Sequence, residues 1–283
     1  MDWNTPLETW LINGGYVILY VALFFFAKWL KGTFASYRLD EQLTEYDNNA
    51  VSVSFAGYIV GVTAIFLGAV TGPGTGVIWE DYANVTGYAL GGILLLNLAR
   101  LINERLILTK FSVEKEIIKD QNPGTGVVEA AVYAATGLII GGSISGEGGG
   151  PLTALAFYGI GQVCLILFAL LYERLSPYNL HEEIEKDNTA AGLGFAGGII
   201  AIGVIIMKGV SGDFVSWQQD LTTLGLDIAL IFVYLIFVRF VFDRLILRNS
   251  NLNTEISEDQ NLGAGLLEMI VAVCFSVVLY FLL

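Results

Sequence analysis

Two carboxylates stand in stretches where water is scarce. Glu129 and Glu268 each lie seven residues beyond an asparagine that opens an apolar run, about 10 Å along a helix from that opening. A carboxylate at such depth is costly unless it is protonated, paired or hydrated. Two chemistries answer that cost: binding of a small cation or relay of a proton, or a structural ion pair with an arginine. Arg100 and Arg239 occupy matching positions in neighbouring apolar runs and are the candidate partners. Asp227 is a third acid within an apolar run and a candidate for the same ion or proton binding, although its repeat counterpart is Tyr88. No other group suggests catalysis. There is no histidine in an apolar run, no nucleophile beside a base and no metal-ligand spacing, so neither an enzyme nor a cofactor or metal is expected.

The elements that hold these residues are membrane helices. The chain of 283 residues is 55% hydrophobic and 14% charged, too little charge to cover a soluble core of ordinary proportions. Eight apolar stretches follow: Trp10 to Phe26, Val51 to Val70, Val85 to Leu98, Val127 to Ile144, Leu152 to Tyr172, Ala190 to Met207, Leu224 to Val241 and Leu266 to Leu283. With their flanks most approach the ~20 residues that span a bilayer. Met1 to Glu8 carries two acids and no base, so the first helix is expected to be an uncleaved anchor. Every lysine and arginine except Lys208 falls on the side of the loops joining odd to even helices. The positive-inside rule makes that side cytoplasmic, with both termini outside and the chain multi-pass in the plasma (inner) membrane.

The stretches DNNAVSVSFAG from Asp47, QNPGTGVVEAA from Gln121, DNTAAGLGFAG from Asp187 and QNLGAGLLEMI from Gln260 each open an even-numbered helix. They align Asn48, Asn122, Asn188 and Asn261 as helix-entry caps, a role for which Asn is well suited. The column seven residues on reads Phe55, Glu129, Phe195, Glu268, so the copies alternate A-B-A-B. The chain therefore divides into four-helix repeats at 1–146 and 147–283. An even helix number puts both halves in the membrane the same way up, as a parallel duplication expected to pack about a pseudo-two-fold axis along the membrane normal. The fold class is all-α: a polytopic membrane protein of eight transmembrane helices.

The run DNTAAGLGFAGGIIAIG from Asp187, with its weaker copies, resembles the DUF350 family of bacterial inner-membrane proteins, also called UPF0719. Two such units would cover nearly the whole chain. The resemblance implies a four-helix unit, an inner-membrane location and, for some members, association with polyamine-related enzymes or membrane-stress proteins. It implies no solute and no reaction.

Other features have plainer readings. Small residues after the caps, including the Gly137/Gly141 and Gly194/Gly198 spacings, suit close helix packing. Cys164 and Cys274 read as apolar residues without a disulfide, His181 as a solvated loop residue, and GPGTG from Gly72 and GEGGGP from Gly146 as turns. The formal charge of −13 and the lack of a free basic patch exclude nucleic acid. The expected partners are the lipid bilayer and either a small cation or a cytoplasmic protein. Two functions remain open: an ion or small-cation pathway using Glu129 and Glu268 as a pair, or a non-transporting scaffold that docks a cytoplasmic partner.

Overall fold

The computed structural model describes residues 6–108, 112–241 and 251–282, and all regular structure among them is helical. Eight long helices alternate in direction: α1 (Pro6–Phe34), α3 (Asn49–Val70), α4 (Ile78–Leu106), α6 (Pro123–Ile144), α7 (Pro151–Leu175), α9 (Thr189–Val210), α10 (Trp217–Val241) and α12 (Leu262–Leu282). Seven of them are long and apolar enough to cross a membrane by composition, and α10, 25 residues long, completes the alternation. Four helices of six residues, α2 (Leu39–Thr44), α5 (Val113–Ile118), α8 (Leu180–Glu185) and α11 (Leu252–Ser257), fill the connections on the base-rich side. The chain is thus four copies of a smaller unit: a long outer helix, a short helix and a long inner helix.

The inner helices α3, α6, α9 and α12 run parallel to one another and pack in that order as a row. The outer helices flank it: α4 packs on α3 and α6, α7 on α6 and α9, and α10 on α9 and α12. A two-fold relation between halves would require α12 to pack on α3 as α6 packs on α9, and among the described residues no comparable packing occurs. The halves follow one another along the row instead of closing about a pseudo-two-fold axis. The reason is that each inner helix carries two different faces. One face meets the preceding unit and the other meets the next, a head-to-tail contact.

Glycine lets those faces meet at backbone distance. A Cβ on Gly126 would lie 2.5 Å from the Ala50 carbonyl oxygen, one on Gly141 2.5 Å from that of Ala64, and one on Gly137 would fall on the Gly61 backbone. Between α6 and α9, a Cβ on Gly192 would lie 2.8 Å from the Gly124 Cα, and Gly203 is equally tight on Ala135. The outward sides of α1, α7, α10 and α12 expose Trp10, Ile18, Phe25, Leu167, Val233, Val278 and Phe281, the surface lipid would cover.

Each unit joins the next through its asparagine. The residue before it, Asp47, Gln121, Asp187 or Gln260, takes a left-handed backbone (φ 46, 52, 63 and 48°), which turns the chain from the short helix into the inner one. The side-chain oxygens of Asn48, Asn122 and Asn188 then accept from the backbone N–H of Val51, Thr125 and Ala191, each at 3.1 Å. Their Nδ2 groups donate twice. One bond stays in the unit, to Gln42 (2.8 Å), Glu116 (3.1 Å) or Glu183 (2.9 Å). The other crosses to the short helix of the following unit, reaching the carbonyls of Ile117 (2.9 Å), Ile184 (2.6 Å) and Ile256 (2.8 Å). All three asparagines are fully buried, with every side-chain hydrogen-bonding group engaged at least once.

Two expectations follow. Asn122→Ala removes a cap and the buried bond to the Ile184 carbonyl, which then keeps only backbone N–H donors, so unfolding in detergent should show a loss of about 2–3 kcal/mol, against about 1 kcal/mol or less for exposed Asn261→Ala. Gly137→Ala, which drives a methyl into the Gly61 backbone, should cost about 1–3 kcal/mol, while Gly91→Ala, with nothing within 4 Å of its Cβ position, should be neutral or mildly stabilising. Thermal scans of the four variants in one detergent provide the comparison.

Candidate functional site

Glu129 lies on α6 where that helix meets α3 and α4, and it is 4% exposed. Ser54 on α3 donates its hydroxyl to Oε2, and the Arg100 Nε on α4 lies 3.6 Å from Oε1. Arg100 also pairs with Glu104, one helical turn on, at 2.5 Å. Lys31 reaches the same region from α1. It is 1% exposed, donates to the Tyr133 hydroxyl at 3.1 Å, and sits 4.2 Å from the Tyr133 ring centroid and 5.0 Å from that of Tyr58. Tyr58 accepts from Asn97 (2.9 Å) and donates to the Ala27 carbonyl (3.0 Å), which ties α3, α4 and α1 together. Two bases and two acids balance, and aromatic faces supply part of what water would give the ammonium.

The space left beside this cluster is about 10 Å³, lined by Arg100, Glu104, Glu129 and Tyr133 among others, room for a single water. Chemically the arrangement is a largely buried ionic clasp between α1, α3, α4 and α6, with room for little more than one water beside it. The sequence pattern offers Arg100 as a candidate partner of Glu129 but ends the first apolar stretch at Phe26, short of Lys31. In the structure α1 continues to Phe34, and Lys31 is inside it. The available signal was Tyr133, one turn after Glu129 on the same face.

Glu268 has different surroundings. The matched segments Tyr37–Leu39 and Tyr178–Leu180, at the starts of α2 and α8, set Tyr172 opposite Lys31, and the asparagine register sets Gly194 opposite Ser54 and Ala272 opposite Tyr133. Tyr172 donates its hydroxyl to Glu268 Oε1 at 3.3 Å, and Gly194 lies against the carboxylate. The Arg239 side chain lies outside the described residues. Glu129 belongs to the α3–α6 joint and Glu268 to the α9–α12 joint, with the α6–α9 joint between them. At the register position of the two glutamates that middle joint carries Phe195, fully buried. The two carboxylates thus stand at separate joints of the row. Beside the middle joint Gln162 on α7 donates to Asn103 Oδ1 on α4 at 2.6 Å and Asn103 donates to Thr136 on α6 at 3.3 Å, which ties two outer helices to α6.

Asp227 and Tyr88, its repeat counterpart, both line a bowl of about 610 Å³ at the ends of the long helices away from the short ones. The loops that sequence reading took as turns form its rim. Gly146 and Gly148, with φ of 101 and 81°, let that rim fold against Gly212 and Phe214. Most of the acids there hold loops. Asp81 accepts from the Thr75 N–H (2.6 Å) and hydroxyl (2.9 Å), Asp213 from the Glu147 N–H (2.7 Å), and Asp220 from the N–H groups of Val215 and Ser216. Asp227 faces Gly209 of α9, and Lys208 is the basic residue of the described lining.

His181, expected in solvent, is 2% exposed. Its Nδ1 lies 2.8 Å from a Glu173 oxygen and its Nε2 2.8 Å from the Ile107 carbonyl, so it fastens α8 to the end of α4. Its position one residue into a buried short helix, beside Leu180, is what the sequence pattern did not reveal. No group of three or more metal-ligating side chains occurs among the described residues.

Eight alternating helices, an apolar outer surface and a duplicated unit define a polytopic membrane protein. The chain belongs to the DUF350 family (Domain of Unknown Function), whose model matches twice, over residues 7–144 and 148–283. It is 26% identical over 238 residues to a UPF0719 transmembrane protein of Aquifex aeolicus, covering 83% of this chain and 85% of that one. It is 28% identical over 123 residues to the UPF0719 transmembrane protein YshE of Bacillus subtilis, covering 44% of this chain and 87% of that one. No solved structure gives a significant match.

The unequal surroundings of the two glutamates lead to an expected difference. Glu129→Gln weakens the bond to buried Arg100, which keeps Glu104, and should cost about 1–3 kcal/mol in thermal unfolding. Glu268→Gln, half-buried and still able to accept from Tyr172, should cost less than half as much.

Proposed function

We propose that the chain is a non-transporting scaffold of the plasma (inner) membrane, whose two four-helix repeats (1–146 and 147–283) present the row of short helices to a protein in the cytoplasm. The observation that supports this reading is the closure of Glu129: Arg100 and Ser54 occupy the carboxylate, and space for about one water remains. A pathway residue needs a hydrated approach, and inner helices in contact at backbone distance leave no lumen between them. The short helices carry the means of docking. With the residue that ends α11 they expose acids in every unit, Asp40, Glu114 and Glu182 within the short helices and Glu258 just after the last, on the side where the bases also lie. By the positive-inside rule that side is cytoplasmic and both termini are outside. This function needs no catalytic group and no cofactor.

A second reading, a small-cation pathway, rests on the bowl. Its volume and its acidic lining, with Asp227 at the wall, would concentrate cations at the outer face. The two readings differ in one measurement. Purified protein in liposomes should pass sodium, potassium and protons no faster than empty liposomes. Gradient-driven flux that Asp227→Asn or Glu129→Gln abolishes in a folded protein would overturn the scaffold and establish the pathway.

A further inference from the structure

The joint between units is made three times within the chain, and the two ends of the row carry its unmated halves. At the end formed by the fourth unit, Asn261 caps α12 by accepting from Ala264 (3.3 Å) and Gly263 (3.0 Å) and donates from Nδ2 to Glu255 at 2.7 Å. These bonds reproduce the intra-unit bonds of Asn48, Asn122 and Asn188. The bond that those three send onward, to the carbonyl of the fifth residue of the next short helix, has no acceptor for Asn261 among the described residues, and Asn261 is exposed. At the first unit the fifth residue of α2 is Leu43. Its counterparts Ile117, Ile184 and Ile256 are at most 2% exposed, while Leu43, with no preceding unit over it, is only half-buried.

The helix faces match in the same sense. In each internal joint the residue two after the asparagine packs on the residue four after the next asparagine: Ala50 on Gly126, Gly124 on Gly192, Ala190 on Gly265. The terminal members of these columns are Gly263 and Ser52. Gly263 has open space on its outward side, and Ser52 is half-buried. Both are small although nothing among the described residues packs on them as it does at the internal joints. Deeper in the membrane α12 exposes Leu267 and Ile270 and α3 exposes Ala56, so the bulky side chain would come from the leading helix, the reverse of the size order in which Gly197 of α9 meets Met269 of α12.

We propose that a second copy of this chain continues the row: α12 and Asn261 of one copy pack on α3 and the Leu43 carbonyl of the next, repeating the internal joint between molecules. Such a contact is head-to-tail, so it closes into a ring or runs on as a filament according to the turn per unit. It is independent of whether the protein conducts ions.

The test is site-directed cross-linking in native membranes, in a background with Cys164 and Cys274 replaced by serine. Two variants, Gly263→Cys and Ser52→Cys, carry different epitope tags and are co-expressed. The expected result is a heterotypic disulfide dimer on mild oxidation, at least tenfold above the yield for Gly263→Cys with Gly14→Cys. A single chain bearing both cysteines should give a ladder or one closed species. Asn261→Ala, whose own cap is exposed, should fold and lower the heterotypic yield at least threefold. Three results would each overturn the proposal: no cross-link above the control, cross-links only between identical positions, or a yield indifferent to Asn261→Ala in a protein that native mass spectrometry finds monomeric.

Discussion

A primary amide buried at a helix start governs this structure. An asparagine carboxamide has one strong acceptor and two donors, and here the three point in three directions: into its own helix, back to its own short helix, and across to the next unit. Burial makes the arrangement nearly all-or-none, since a missing partner leaves a polar group in a dry place. The left-handed residue before each asparagine, the small residues two and four positions after it, and the short helix that supplies the acceptor are all consequences of holding that amide still. Aspartate, the closest substitute as a cap, would bring a carboxylate against Glu116 or Glu183 and donate nothing.

With the amides fixed, the inner helices have little freedom in register, and glycine decides how close they come. Backbone-to-backbone packing along α3, α6 and α9 gains dispersion contacts and cannot tolerate side chains, which is why polar chemistry is displaced to the seams with the outer helices. The clasp of Lys31, Arg100, Glu104 and Glu129 occupies one such seam and the Gln162–Asn103–Thr136 chain another. Both bind outer helices to the row. In lipid, where apolar burial gives no net preference for protein over solvent, these polar seams are what select a specific neighbour.

The repeat and the all-helical membrane class were legible in the sequence, because each is written as residue types at a fixed spacing. The row was not legible. A repeat reveals that two halves point the same way, but whether neighbours close about an axis depends on the two faces of α6 and α9 being different. That difference is spread over glycines that look alike in a string. The clasp was half legible, since Lys31 belongs to the most degenerate copy of the pattern and its partners Tyr58 and Tyr133 come from two other helices. His181 was misread for a similar reason: a loop that folds into a single covered turn has no periodicity to announce it.

Each unit of the row enters and leaves the membrane on the same side, and it packs chiefly on the units before and after it. The architecture is therefore modular in steps of one hairpin. Adding or losing a hairpin would preserve the sidedness of every other helix and leave its neighbours' joints intact, a tolerance that a closed bundle lacks. Protein length in such a lineage can drift without a topological penalty, and the stability of the array behaves as a sum over adjacent joints.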